Sequence, residues 1–274
     1  MKENIFEKGN KLKIEKIEGP QNGEVYYCPE RGEIITSIKL GGKEILYLDE
    51  ETFNNINTNV KGGIPILFPN AGPITENHEF PNLAQHGFAR NSKWQNEKVK
   101  NGFKGVLLSN EETKKMYPYD FKLSVLGSFE EDGLFTFRQE VENKEENREL
   151  SLSMGLHPYF KVPNNEKNNI KFNFEGGRFI EEQVEIWANG GAISVDNPKT
   201  KDPNAIMEVI IPSLGSLIID ASGEYQKIWI WSMKGRDFVC VEPVMRNANG
   251  LVDDPERVKP RETFSAKVNF KLNT

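Results

Sequence analysis

The sequence predicts an all-β protein, a large antiparallel β-sandwich, and three observations carry that prediction. Apolar and polar residues alternate with period two in several segments, no long window shows helical spacing, and turn residues separate the alternating runs. Alternation is clear in 133–143, 149–154 and 264–272, each of which needs one dry and one wet face. Further β-rich runs lie at 33–40, 121–129, 169–174, 206–211 and 228–231, with turns such as Gly41-Gly42 and Asp132-Gly133 between some of them. The best helical candidate is the short 110–116. Without crossover helices a parallel sheet is excluded, which leaves two large antiparallel sheets face to face.

No repeat or low-complexity tract interrupts the chain, and 164–168 and 196–204 read as polar surface loops rather than linkers. Residues 1–274 are therefore expected to form a single domain, a size that large sandwiches reach without dividing. A net charge of -6 and the lack of a basic stripe argue against nucleic acid as a partner. Local positive pockets for a sugar phosphate stay open, because Lys and Arg still total 35. No apolar run approaches a bilayer span, and the charged N-terminal segment 1–8 lacks the apolar stretch of a signal peptide, so a cytoplasmic protein without a membrane partner is expected. Cys28 and Cys240 show no disulfide framework and are expected to be buried thiols.

Three segments concentrate chemistry. Lys61-Gly62-Gly63-Ile64-Pro65-Ile66-Leu67-Phe68-Pro69-Asn70-Ala71-Gly72, with Gln85-His86-Gly87-Phe88-Ala89-Arg90 close behind, packs glycines and prolines too densely for a helix or a long ladder strand and sets a histidine near an arginine. Gly155-Leu156-His157-Pro158-Tyr159-Phe160 places a histidine at a strand end, where the following proline holds its backbone extended. Val239-Cys240-Val241-Glu242-Pro243 ends an apolar strand in a carboxylate that burial would push towards use as a base. Each has a plainer alternative: a hydrogen-bonded structural histidine at His86, an aromatic-cluster residue beside Tyr159 and Phe160 at His157, and an edge-strand charge facing water at Glu242.

Taken in order over about residues 30 to 272, these segments resemble the aldose 1-epimerase (galactose mutarotase-like) family, including its hexose-6-phosphate mutarotase branch. The resemblance implies a twisted β supersandwich with an open cleft on one sheet and an activity that interconverts sugar anomers without a cofactor or metal. It implies that His157 is the general acid protonating the ring oxygen, that Glu242 is the general base taking the C1 hydroxyl proton, and that His86 hydrogen-bonds sugar oxygens near the anomeric carbon. This scheme needs His157 protonated while Glu242 is ionised.

Arg90 and Lys61 are candidate clamps for an anion or a hydroxyl. The hexose-phosphate branch commonly has arginine where this chain has Lys61, and a lysine offers a point charge instead of a fork. Asn70 is a candidate donor to a sugar hydroxyl, or a turn residue before Gly72. Val244 stands where relatives often carry tryptophan, which would remove one aromatic wall. Trp229 and Trp231 share one face of a strand, where at least one is expected in the core, and His78, in a polar loop, is expected in solvent.

Three rivals remain. A metalloenzyme would use His86, His157 and Glu242 as ligands, and activity surviving exhaustive chelation would remove it. A glycoside hydrolase would need a second carboxylate and would release product from a disaccharide. A non-catalytic sugar-binding or sensing protein on the same scaffold would bind without interconverting anomers. The identity of the sugar, its phosphorylation and the oligomeric state are not encoded in any of these features.

Overall fold

The computed structural model of the protein describes residues 12–75 and 77–273, so the N-terminal segment 1–8 read above lies outside the described residues. Its largest sheet has eight antiparallel strands in the order Lys171–Asn173, Met207–Ile211, Gly215–Ala221, Thr263–Asn273, Phe135–Asn143, Phe121–Phe129, Gly102–Leu108 and Gln95–Val99. A second, six-stranded sheet runs Ile193–Asp196, Lys227–Trp231, Phe238–Val244, Gly155–Leu156 and Ile66–Leu67, with Tyr159–Lys161 also paired to Phe238–Val244. A four-stranded sheet over Glu15–Glu44 and a two-stranded ribbon, Leu150–Leu152 with Glu256–Val258, complete the strands, so the architecture is richer than the two sheets expected.

Phe135–Asn143 shows why the alternation folds as it does. Its odd-numbered residues are all buried and its even-numbered ones half-buried. Full burial of Phe135, Phe137 and Val141 stabilises by about 1.5–3 kcal/mol each. The same inward face carries Gln139 and Asn143: Tyr225 Oη donates to Gln139 Oε1 at 2.6 Å, Gln139 Nε2 has no partner among the described residues, and Asn143 Nδ2 donates to the carbonyls of Arg148 (2.9 Å) and Val258 (2.8 Å).

The two large sheets share one apolar cluster. Ile228, Ile230, Val239 and Val241 of the six-stranded sheet lie in it with Phe137, Val268 and Phe270 of the eight-stranded one, and the rings of Phe160 and Phe270 meet across the interface at 6.0 Å. Because side chains alternate, Trp229, Trp231, Cys240 and Glu242 must then point away from that core, onto the opposite face of the six-stranded sheet. That outer face holds the candidate site.

The expected helix at 110–116 forms as Glu111–Lys114, with Asn110 Oδ1 accepting from the backbone N–H groups of Glu112 (2.9 Å) and Thr113 (3.0 Å). Both segments read as polar surface loops are partly interior. Lys167 is buried and donates to the Met233 carbonyl at 2.7 Å, and Asn197 is fully buried. The thiols of Cys28 and Cys240 are free and buried, and His78 is exposed. No helix of the described residues is long and apolar enough to cross a membrane.

Candidate active site

Pro158 breaks the ladder that builds the site. It has no N–H to donate, and pairing with Phe238–Val244 is interrupted between Gly155–Leu156 and Tyr159–Lys161. The register is nevertheless kept: Gly155 pairs with Val244 and Tyr159 with Cys240, which sets His157 opposite Glu242. On the other side of the same strand Trp229 pairs with Glu242 and Trp231 with Cys240. Two adjacent rungs result, His157–Glu242–Trp229 and Tyr159–Cys240–Trp231, with all six side chains on one face. Residues 85 positions apart in sequence are thereby cross-strand neighbours.

His157 Nε2 lies 3.4 Å from Glu242 Oε1, and both side chains are nearly inaccessible to solvent. The imidazole stacks on the Tyr159 ring at 4.6 Å and 8° and meets the edges of Trp231 (5.9 Å) and His86 (5.3 Å). His157 Nδ1 and Glu242 Oε2 are buried without a hydrogen-bond partner among the described residues. Burial pushes the His157 pKa well down, with help from His86 and Arg90, and burial pushes the Glu242 pKa well up. Both shifts favour the neutral forms. The ionised pair expected from the sequence is thus the disfavoured arrangement of the cleft, because a dry pocket penalises two charges more than their attraction returns.

His86 reaches the site from the loop that follows the glycine-rich segment. Its Nδ1 donates to the Ala71 carbonyl, which fixes the tautomer and leaves Nε2 as an acceptor. Burial and the nearby Arg90 guanidinium bring its pKa down to about 4, so the ring is neutral near pH 7. Two glycines permit this approach. Gly63 has a φ of 64° and a Cβ there would sit 2.2 Å from the Ile35 carbonyl oxygen; Gly87 has a φ of 62° and a Cβ would sit 1.9 Å from the Phe68 carbonyl oxygen.

The cleft around these groups measures about 470 Å³, within the range of small-molecule sites. Its lining includes His86, His157, Glu242, Arg90 and Lys61 together, so five of the six site residues singled out from the sequence converge. Arg90 Nη2 donates to the Gln85 carbonyl at 3.3 Å, while its Nε is buried without a partner among the described residues. Asn70 lies outside that lining. Its amide donates to the carbonyls of Gly72 (2.7 Å) and Ala84 (3.2 Å), spending both hydrogens on the loop.

Sequence reasoning missed most of the walls. Asn59, Val60, Gly190 and Ala192 also line the cleft and come from loops with no chemical signature of their own, and Gln85, from the His86 motif, lines it with them. Trp229 and Trp231 are both half-buried cleft walls rather than core residues: their indole N–H groups donate to Asn247 Oδ1 (3.3 Å) and the Gly190 carbonyl (3.0 Å). Their alternation with buried Ile228 and Ile230 was the available signal. Val244 is buried with Leu67 and Ala71, and Trp229, packed against them, supplies an aromatic wall. The metal alternative also changes, since the potential ligands that lie within 4.8 Å of one another are those of His157, Cys240 and Glu242, without His86.

A family model described as "Aldose 1-epimerase" matches residues 22–267. A Salmonella typhimurium protein named "Putative glucose-6-phosphate 1-epimerase" is 32% identical over 147 residues, covering 52% of this chain and 46% of that protein. The match thus spans about half the length of this curated relative, and of its Escherichia coli counterpart (45%). Among solved structures, the Slr1438 protein of Synechocystis sp. PCC 6803 is similar over 99% of both chains, with a TM-score of 0.84 and 26% identity. A galactose mutarotase related enzyme of Lactobacillus acidophilus shares the fold at a TM-score of 0.74 and 20% identity over 96% of this chain and 98% of that one. With the model matching nearly the whole sequence and the fold shared from end to end, the chain belongs to the aldose 1-epimerase family.

Proposed function

We propose that this protein is an aldose 1-epimerase acting on a hexose or hexose 6-phosphate, with His157 and Glu242 as the acid and base. The observation that carries the reading is the buried contact of 3.4 Å between His157 Nε2 and Glu242 Oε1 at the floor of a cleft walled by aromatic rings. Anomerisation needs a proton removed from the C1 hydroxyl and one given to the ring oxygen. Both oxygens are bonded to the same carbon, so the acid and base have to be close neighbours, as these two are.

Glu242 takes the hydroxyl proton, His157 protonates the ring oxygen, and the ring opens to the aldehyde. Rotation about C1–C2 and reversal of the two transfers close the other anomer. The neutral pair that burial favours and the ion pair needed for this step differ only in where one shared proton sits, and a bound sugar's hydroxyls supply hydrogen bonds to Glu242 Oε2. Neutral His86 accepts from a sugar hydroxyl through Nε2. Lys61 and Arg90 supply positive charge on the same cleft, which supports the hexose 6-phosphate reading.

The test is anomer interconversion of glucose, galactose and their 6-phosphates, followed by polarimetry or NMR exchange. His157→Ala and Glu242→Ala are each expected to lose about 10²–10⁴ in rate. Wild-type rates in both variants would end the assignment, and sugar binding without any interconversion would favour the sensing protein instead.

A further inference from the structure

The rung beneath the acid–base pair contains a group that anomerisation does not use. Cys240 is two residues from Glu242 on the same strand and therefore on the same face, next to Tyr159 and Trp231. Its thiol is free and buried. The ligand atoms of His157, Cys240 and Glu242 all lie within 4.8 Å of one another. We propose that these three side chains form a binding site for a zinc-class divalent ion, whose occupation reversibly switches off the epimerase. The binding half stands on the geometry alone; the inhibitory half rests on the function proposed above.

The donor set favours such an ion. One imidazole nitrogen, one thiolate and one carboxylate suit a borderline-soft metal, and three protein ligands with an open fourth position form a known zinc arrangement. Bonds of about 2.0–2.3 Å in a tetrahedron put ligand atoms roughly 3.3–3.8 Å apart, so the observed spread closes with about 1 Å of side-chain adjustment. His157 and Glu242 line the cleft, while Cys240 is fully buried.

Charge balance points the same way. A dication with one thiolate, one carboxylate and a neutral imidazole sums to zero, which is what a dry pocket tolerates. A neutral imidazole ligates through the Nε2 lone pair, and the thiol and the carboxyl each give up a proton on ligation.

The site also lacks what a permanently loaded metal centre has. His157 Nδ1 makes no hydrogen bond among the described residues, and outer support of that kind is worth about 10–100-fold in metal affinity. A reversible ion fits this better than a resident one. When bound, it occupies the imidazole lone pair and the carboxylate at once, leaving neither free to move a proton.

Cobalt(II) chloride, added to the purified full-length protein, is the spectroscopic probe, and zinc chloride is the inhibitor. The expected result is a thiolate-to-cobalt charge-transfer band at one ion per chain, displaced by zinc, together with loss of anomerisation that a chelator restores. Cys240→Ser and Cys240→Ala, shown folded by their melting curves, should lose the band and need at least tenfold more zinc for half-inhibition of their own activity. Cys28→Ser, which removes the other buried thiol, should retain both. A wild type without the band, or Cys240 variants that bind cobalt and respond to zinc like the wild type, would overturn the site. A protein inactive on every sugar but showing the Cys240-dependent band would refute the proposed function and keep the metal site.

Discussion

Glu33 is fully buried, and its environment makes a prediction independent of the candidate site. Asn96 Nδ2 donates to its Oε1 at 2.6 Å, its Oε2 has no partner among the described residues, and Gly105 leaves it room, since a Cβ there would lie 2.7 Å from the carboxyl carbon. Burial raises its pKa to about 8, only partly offset by the Asn96 bond. The sign follows directly. Between pH 4.5 and 8 the folded protein keeps a proton that the unfolded chain has shed, so this group lowers stability as pH rises through that window. Glu33→Gln holds the neutral shape at every pH. It should unfold at higher denaturant than wild type at pH 8.5, by on the order of a few kcal/mol, with the gap closing by pH 5. A difference independent of pH would show that the shift is not expressed in folding. The fully buried acid was not legible in the sequence, where Glu33 is simply the first residue of a β-rich run.

At the scale of elements, strands with strict alternation were readable and the short ones were not. Phe121–Phe129 matches the sequence reading end to end, and Thr263–Asn273 extends it by one residue on each side. Gly23–Cys28, Gly102–Leu108 and Gly215–Ala221 went unassigned because each opens on glycine and mixes small and polar residues. The loop from 196 to 204 shows the opposite error, a polar composition taken as solvent-facing. Asn197 Nδ2 reaches the carbonyls of Ala221 (3.3 Å), Ser222 (3.1 Å) and Tyr225 (2.7 Å), and its Oδ1 accepts from Lys199 N–H at 3.1 Å. Polarity here serves to satisfy buried backbone groups. Asn197→Ala should cost about 2–4 kcal/mol in chemical denaturation by leaving those carbonyls unpaired, and a change under about 0.5 kcal/mol would contradict this.

For the whole molecule, the net charge of -6 repels an anionic substrate only weakly at a distance. Charges more than a Debye length away, about 8 Å at physiological salt, are largely screened, so the cations on the cleft decide. Lys61 and Arg90 are those cations among the cleft-lining residues. Lys61→Gln should raise KM for a hexose 6-phosphate about tenfold at low salt while leaving the free hexose within about twofold, and the penalty should shrink as salt is added. Equal effects on both sugars would assign Lys61 to hydroxyl contacts or to the surface.

By itself the sequence determined the β class, the dominant strands, the free thiols and the segments that carry the proposed acid and base, because alternation and local motifs are properties of neighbours along the chain. Only the tertiary structure decided what those residues meet. The sandwich turns Trp229, Trp231, Cys240 and Glu242 outward together, the register across the Pro158 interruption sets His157 against Glu242, and packing removes both from water. Which face is dry, which partner sits opposite and how far a charge is desolvated are set by contacts between segments distant in sequence, and no local pattern carries that information.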